Sequence, residues 1–185
     1  MRNVSVALPV KAKLGECPRW DEQQGLLYWV DINAFEFHRF NPASGVNETL
    51  TFKEEIGCFS LRPEKGYVLA MRSGFFFLDD WNTELRPIAD PESDLVKNRF
   101  NDGRCDAEGR FIAGSYYPPK DYDGANLWSL GANLAVTKLV EGLLTSNGAA
   151  FSPDNTTFYL SDTPKHVIYQ YDYDIHRGTI KNGRV

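Results

Sequence analysis

The chain has 185 residues, with 20 Lys and Arg against 25 Asp and Glu for a formal net charge of −5, and it is rich in rings: twelve Phe, nine Tyr and four Trp. That length suits one domain with a sizeable core, and the charge argues against a nucleic-acid partner, whose affinity comes from phosphate neutralisation by Lys and Arg. No run is long and apolar enough for a membrane-spanning helix, the first residues lack the apolar core of a signal peptide, and Cys17, Cys58 and Cys105 form no CxxC pair. The expectation is a cytoplasmic protein with reduced thiols that meets neither membrane nor nucleic acid.

The elements read in chain order as a strand meander. Residues 14–21 lead through a turn at 22–25 into a strand at 26–31, and 35–40 alternate apolar and polar with period two before the turn Asn41-Pro42-Ala43-Ser44-Gly45. The same grammar recurs at 59–64, 67–71 and 75–78, then at 105–109, 110–115 and 125–130, and again at 151–155, 156–162 and 167–172. Aligning Trp20, Arg62, Cys105 and Phe151 gives steps of 42, 43 and 46 residues. A repeat of that length built from about four short strands is the signature of a β-propeller blade. Helical repeats of similar length need apolar residues at helical spacing, which are absent. The Gly-His and Trp-Asp pairs of the common scaffolding propeller are also missing from their usual offsets.

Four residues before each anchor stand Glu16, Cys58, Asn101 and Asn147. These positions are expected just ahead of the innermost strand of each blade, where successive blades encircle a central channel. Three of the four carry oxygen donors, a plausible set for a hard cation. Asn101-Asp102-Gly103 and Asn147-Gly148 are also ordinary turn sequences, and both readings stand at this level. The densest polar stretch, Asn98-Arg99-Phe100-Asn101-Asp102, belongs to the third repeat. His38, His166 and His176 share no metal-like spacing and read as strand or loop surface. Cys58 and the Phe75-Phe76-Phe77 run read as packing, Asp172 and Asp174 as loop or edge carboxylates, and Asp162 as a strand-end carboxylate able to face the channel.

Three motifs in order, Leu14-Gly15-Glu16-Cys17-Pro18-Arg19-Trp20, Asn98 to Gly103 with Asp106, Gly109 and Arg110, and Ser146-Asn147-Gly148 with Ser152-Pro153-Asp154, resemble the family that includes gluconolactonase and regucalcin. The resemblance implies an all-β, six-bladed propeller in the full protein, with about four blades represented here as a single domain over 1–185, truncated at its C-terminus. It further implies a small-molecule sugar lactone as partner and its metal-dependent hydrolysis to the sugar acid. One divalent ion is implied, with Ca, Mg, Mn, Zn and Fe not distinguishable. By position, Glu16 and Asn147 match metal ligands, Arg99 and Asn101 match substrate contacts, and Asp102 lies beside them as a fallback base or a turn former. The family's main base, also a metal ligand, is expected beyond Val185. The strand around residues 3–8 would normally complete the last blade, and here it is expected to lack a partner. Where the family often carries a substrate-contacting acid, this chain reads Tyr116-Tyr117-Pro118-Pro119, which leaves the sugar open. The alternatives are a metal-binding regulatory propeller without turnover, a phosphotriesterase-like propeller and a protein-interaction propeller, and the sequence does not give the oligomeric state.

Overall fold

The computed structural model describes residues 4–185. Every regular element is a strand, apart from single 3-10 turns at Ile32–Ala34 and Thr163–Lys165. The strands form four antiparallel sheets of four, each ordered as the chain runs. This meander is the blade of a β-propeller, so the fold expected from the sequence is the one observed. The chain divides into two compact units, 1–56 and 57–185.

The first unit holds one blade: β1 (Gly15–Asp21), β2 (Leu26–Asp31), β3 (Glu36–Asn41) and β4 (Val46–Thr51). Tyr28, Val30 and Phe37 are fully buried between neighbouring strands, each worth about 1.5–3 kcal/mol over leaving it in water. Asp31 ends β2 and is buried; its carboxylate accepts from the amides of Lys13 (2.7 Å), Leu14 (3.0 Å) and Ala34 (3.1 Å), tying the segment that enters β1 to the 3-10 turn. His38 is not a surface residue. Its ring stacks on Trp29 at 3.8 Å and is buried, because aromatic neighbours across β2 and β3 close over it. That burial pushes the imidazole below its ordinary value, against the opposing pull of Glu36 and Asp31.

The second unit holds β5 (Ile56–Leu61), whose first residue falls at the boundary, β6 (Tyr67–Met71), β7 (Gly74–Leu78) and β8 (Leu85–Ala89). It continues with β9 (Arg99–Cys105), β10 (Phe111–Tyr116), β11 (Ala125–Leu130) and β12 (Val136–Leu143), and with β13 (Ser146–Phe151), β14 (Thr157–Asp162), β15 (Val167–Asp174) and β16 (Thr179–Arg184). Within this unit β9 packs against β6 on one side and β13 on the other. Phe75 bridges the first two of these blades, its ring 4.5 Å from Phe100 and 6.0 Å from Phe111. Ile112, Leu127, Phe158 and Leu160 fill the space between the last two. Inner strands run so close that a Cβ on Gly57 would fall 2.1 Å from the Phe100 carbonyl oxygen, so only glycine fits there.

Two further expectations are corrected. Glu16, Cys58, Asn101 and Asn147 lie within the inner strands β1, β5, β9 and β13, not ahead of them. Their Asn, Asp and Gly neighbours imitate a turn in sequence, while Glu16 pairs with Val30 and Asn147 with Ser161 on the second strands. Cys105 ends β9, and 106–110 form the β9–β10 turn rather than a strand: Asp106 accepts from the amides of Glu108 and Arg110 there. Residues 4–8, expected to lack a partner here, form no strand, and residue 3 lies outside the described residues.

Candidate functional site

The starts of three inner strands share a device. In β1 the register slips between Glu16 and Arg19, in β13 between Asn147 and Ala150, and in the β9–β10 pair between Gly114 and Ser115, which leaves Asn101 without a direct cross-strand partner. Each slip is a β-bulge, which re-aims the side chains beside it. Residue Cys17, one past Glu16, takes φ 53°, and Gly148, one past Asn147, takes φ 61°. Each residue singled out by its oxygen donor therefore sits at or next to a bulge. Sequence periodicity does not report this geometry.

Arg99 opens β9 and is 7 % exposed, an unusual depth for a guanidinium. It lies over the Tyr116 ring at 4.8 Å, and its Nη1 donates to the Phe100 carbonyl and to Asn101 Oδ1, both at 2.9 Å. Asn101 Nδ2 donates in turn to the Ser146 carbonyl at 2.9 Å, one residue before Asn147. Asp102 continues the link: Oδ1 accepts from Gly103 N at 2.9 Å and Oδ2 from Ala149 N at 3.1 Å. Arg99, Asn101 and Asp102 thus join the β9 and β13 strand starts into one polar surface. Asn147 is half-buried, its Oδ1 accepting from Gly148 N (3.0 Å) and its Nδ2 reaching Thr163 Oγ1 (3.3 Å). Its carboxamide oxygen keeps a second lone pair for another partner. Glu16, in the first unit, is an exposed carboxylate.

No group of three His, Cys, Asp or Glu able to hold a metal occurs among the described residues. The assigned donors are instead one carboxylate and one carboxamide. Both are hard oxygen ligands of the kind that calcium and magnesium take, so their chemistry fits a hard divalent cation.

Supporting residues emerge that sequence reading missed. Glu92 is 9 % exposed and lies in the loop before β9. Its Oε1 accepts from Ser115 Oγ (2.9 Å), Asn126 Nδ2 (2.9 Å) and Trp128 Nε1 (2.8 Å), and its Oε2 accepts from Asn98 Nδ2 (2.9 Å). A buried carboxylate is tolerable only when its lone pairs are met, and here four neutral donors meet them. Asn98 also donates to the Gly124 carbonyl, so this hub fixes the approach to Arg99. No pattern marks Glu92, because a lone Glu in a loop looks solvated until the fold closes over it. Asp162, read as a strand-end carboxylate able to face the channel, is fully buried: it accepts from the amides of Leu144 and Thr145 and pairs with Lys165 at 3.2 Å. It repeats the role of Asp31, since a chain entering an inner strand has amides that need acceptors. Asp106, Arg110 and Tyr173 form a further link. Arg110 bonds Asp106 (2.7 Å) and the carbonyls of Ile175 and His176, while the Tyr173 hydroxyl donates to Asp106. Burial and the adjacent carboxylate push the Tyr173 hydroxyl above the usual phenol range.

Four antiparallel sheets of four strands, each ordered as the chain runs, define the blades of a β-propeller. The family model described as "SMP-30/Gluconolactonase/LRE-like region" matches residues 14–185, and the chain belongs to that family. A 6-deoxy-6-sulfogluconolactonase of Pseudomonas putida is 42% identical over 161 residues, covering 87% of this chain and 55% of that protein. Regucalcin of Xenopus laevis is 33% identical over 177 residues, covering 93% and 59%. The solved structure of a calcium-binding regucalcin from Agrobacterium tumefaciens superposes with a TM-score of 0.91 at 28% identity, covering 97% of this chain and 61% of that one. The chain spans 55% of the sulfogluconolactonase and at most 63% of the regucalcins it matches.

Proposed function

We propose that the protein hydrolyses a sugar lactone to its sugar acid, and that residues 1–185 contribute to a single propeller domain. The observation that carries this reading is the hydrogen-bonded link Arg99–Asn101–Ser146 carbonyl, which lies within the residues that the family model matches. Glu16 and Asn147 are the residues we assign to a divalent cation, on the hardness of their oxygens and their shared place in the repeat. Such a cation, when bound, supplies Lewis-acid polarisation of the ester carbonyl.

The chain's own groups do the rest. Arg99 is locked between a tyrosine face and two oxygens, so its positive charge is fixed in advance where negative charge develops on ring opening. Asn101 holds its carboxamide between Arg99 and the Ser146 carbonyl and so presents a fixed amide edge to a sugar hydroxyl. Asp102 is the candidate base within this chain, positioned by the amides of Gly103 and Ala149.

Purified protein is expected to open glucono-1,5-lactone or a substituted analogue, with the rate lost on chelation and restored by added divalent ion. No turnover on any aldonolactone, with or without metal, overturns the lactonase reading. A second reading, metal binding without turnover, is favoured by the calcium-binding regucalcin structure. It predicts retained cation affinity in that same failed assay.

A further inference from the structure

We infer that a cavity beside Arg99 receives a second pyranose ring, so that the site prefers lactones of disaccharide acids over free aldonolactones. This rests on the lactonase reading of the same site and names a substrate class for it.

The antiparallel order of the β9–β12 blade fixes where the cavity lies. Arg99 opens β9 and pairs with Tyr116, the last residue of β10, so the segment entering β9 (90–98) and the loop leaving β10 (117–124) both stand at the polar end. The cavity lies between them. It measures about 200 Å³, and its lining includes Asp94, Val96, Lys97 and Asn98 from the first segment and Tyr117 and Tyr122 from the second. Asn98 precedes Arg99, their Cα atoms about 3.8 Å apart, and Tyr117 follows the Tyr116 ring on which Arg99 lies. The walls are preformed. Leu95 N donates to the Glu92 carbonyl and Asn98 N to the Leu95 carbonyl, both at 2.7 Å, which folds the entering segment into two successive turns. In the loop, the Tyr117 and Tyr122 rings pack with centroids 4.5 Å apart, and the Tyr117 hydroxyl donates to Asp121 at 2.7 Å. A Cβ on Gly124 would fall 2.9 Å from Tyr117 Cγ and 2.9 Å from Tyr122 Cε2, so both rings rest on bare backbone. The Gly124 carbonyl accepts from Asn98, which joins the two walls.

Two features point to the ligand. Val96 is 80 % exposed and Tyr122 58 %, so each wall turns apolar surface to water. One such side chain is ordinary, but two lining a single concavity make an apolar slot, and a tyrosine face there suits the C–H face of a pyranose. Asp94 and Lys97, both exposed, bring an acceptor and a donor for its hydroxyls. Volume decides how much is taken. The cavity's 200 Å³ falls below roughly 300 Å³, where pockets for whole ligands begin, so it receives one ring of a ligand whose lactone is held at Arg99 and Asn101. Tyr122 would then determine specificity without acting on the ester.

The test compares kcat/KM of the purified protein for glucono-1,5-lactone, cellobiono-1,5-lactone and melibionolactone, in which the second ring is absent, 4-linked or 6-linked. At least one disaccharide lactone should exceed the monosaccharide by about fivefold or more, the scale of one stacking contact, and the two linkages show which one reaches the cavity. Tyr122→Ala removes the exposed ring and should lower that ratio by about fivefold. Should that variant fail to fold, Val96→Glu, which puts a carboxylate into the slot, carries the same comparison. A wild-type ratio near one for both disaccharides, or a preference untouched by the variant, overturns the proposal. Should no lactone turn over, calorimetry with gluconate, cellobionate and melibionate decides. Tighter binding of a disaccharide acid, lost in Y122A, upholds the second ring's site while the lactonase reading falls; equal or absent binding overturns it.

Discussion

The starts of β1 and β13 are the same local structure built from different residues. In each, an oxygen-bearing side chain, Glu16 or Asn147, is followed by a residue in the left-handed region and a slip of register. In each, an aspartate at the end of the second strand, Asp31 or Asp162, holds the amides of the entering chain. At β13 the left-handed residue is the exposed Gly148, for which that conformation costs nothing; at β1 it is Cys17, a buried residue with a Cβ. The start of β9 differs from both. Neither Asn101 nor Asp102 takes a positive φ, and Asn101 is held by the Arg99 guanidinium and the Ser146 carbonyl. A left-handed residue thus follows each of Glu16 and Asn147, whereas no such residue follows Asn101, whose side chain is held by hydrogen bonds to Arg99 and to the Ser146 carbonyl.

The largest effect should come from breaking the hydrogen-bonded case. Asn101→Ala removes both bonds and takes from Arg99 one of its oxygen partners, leaving the Phe100 carbonyl. We expect lactone kcat/KM to fall by about a hundredfold and stability by about 1–2 kcal/mol, read from steady-state kinetics and urea unfolding. Unchanged kinetics would show that Asn101 serves the fold alone. A smaller effect should come from exchanging the two left-handed residues. Gly148→Cys forces a Cβ into φ 61° and to 3.0 Å from Ser161 Oγ, at an expected cost of about 1–2 kcal/mol. Cys17→Gly relieves a strain of the same kind while giving up a buried thiol, so its net change should stay within about 1 kcal/mol. Equal losses in the two variants would mean that the bulges are not equivalent.

Much of this was legible from the sequence because repetition amplifies weak signals. One Asn-Gly pair is a turn, but Glu16, Asn101 and Asn147 at one register of a 42- to 46-residue repeat are a pattern, and the four-blade architecture followed from the same alignment. Hidden were the features that depend on partners distant in sequence. Strands such as β4 and β16, half-exposed and polar, carry little alternation to read. The bulges arise from mismatch with the second strands, and local composition imitates turns there. Glu92 and Asp162 resemble solvated acids until Trp128, Asn126 and the Leu144–Thr145 amides converge on them. His38 was misread for the same reason, since only the pairing of β2 with β3 puts Trp29 against it.

The central claim is that a bulged inner-strand start presents an oxygen donor to a divalent cation. Calorimetric titration of calcium, magnesium and manganese into the wild-type protein and Asn147→Ala tests it most directly. The account predicts one cation per chain in the wild type, bound at least about tenfold more weakly once the carboxamide oxygen is gone. Equal affinity in the two proteins would contradict it.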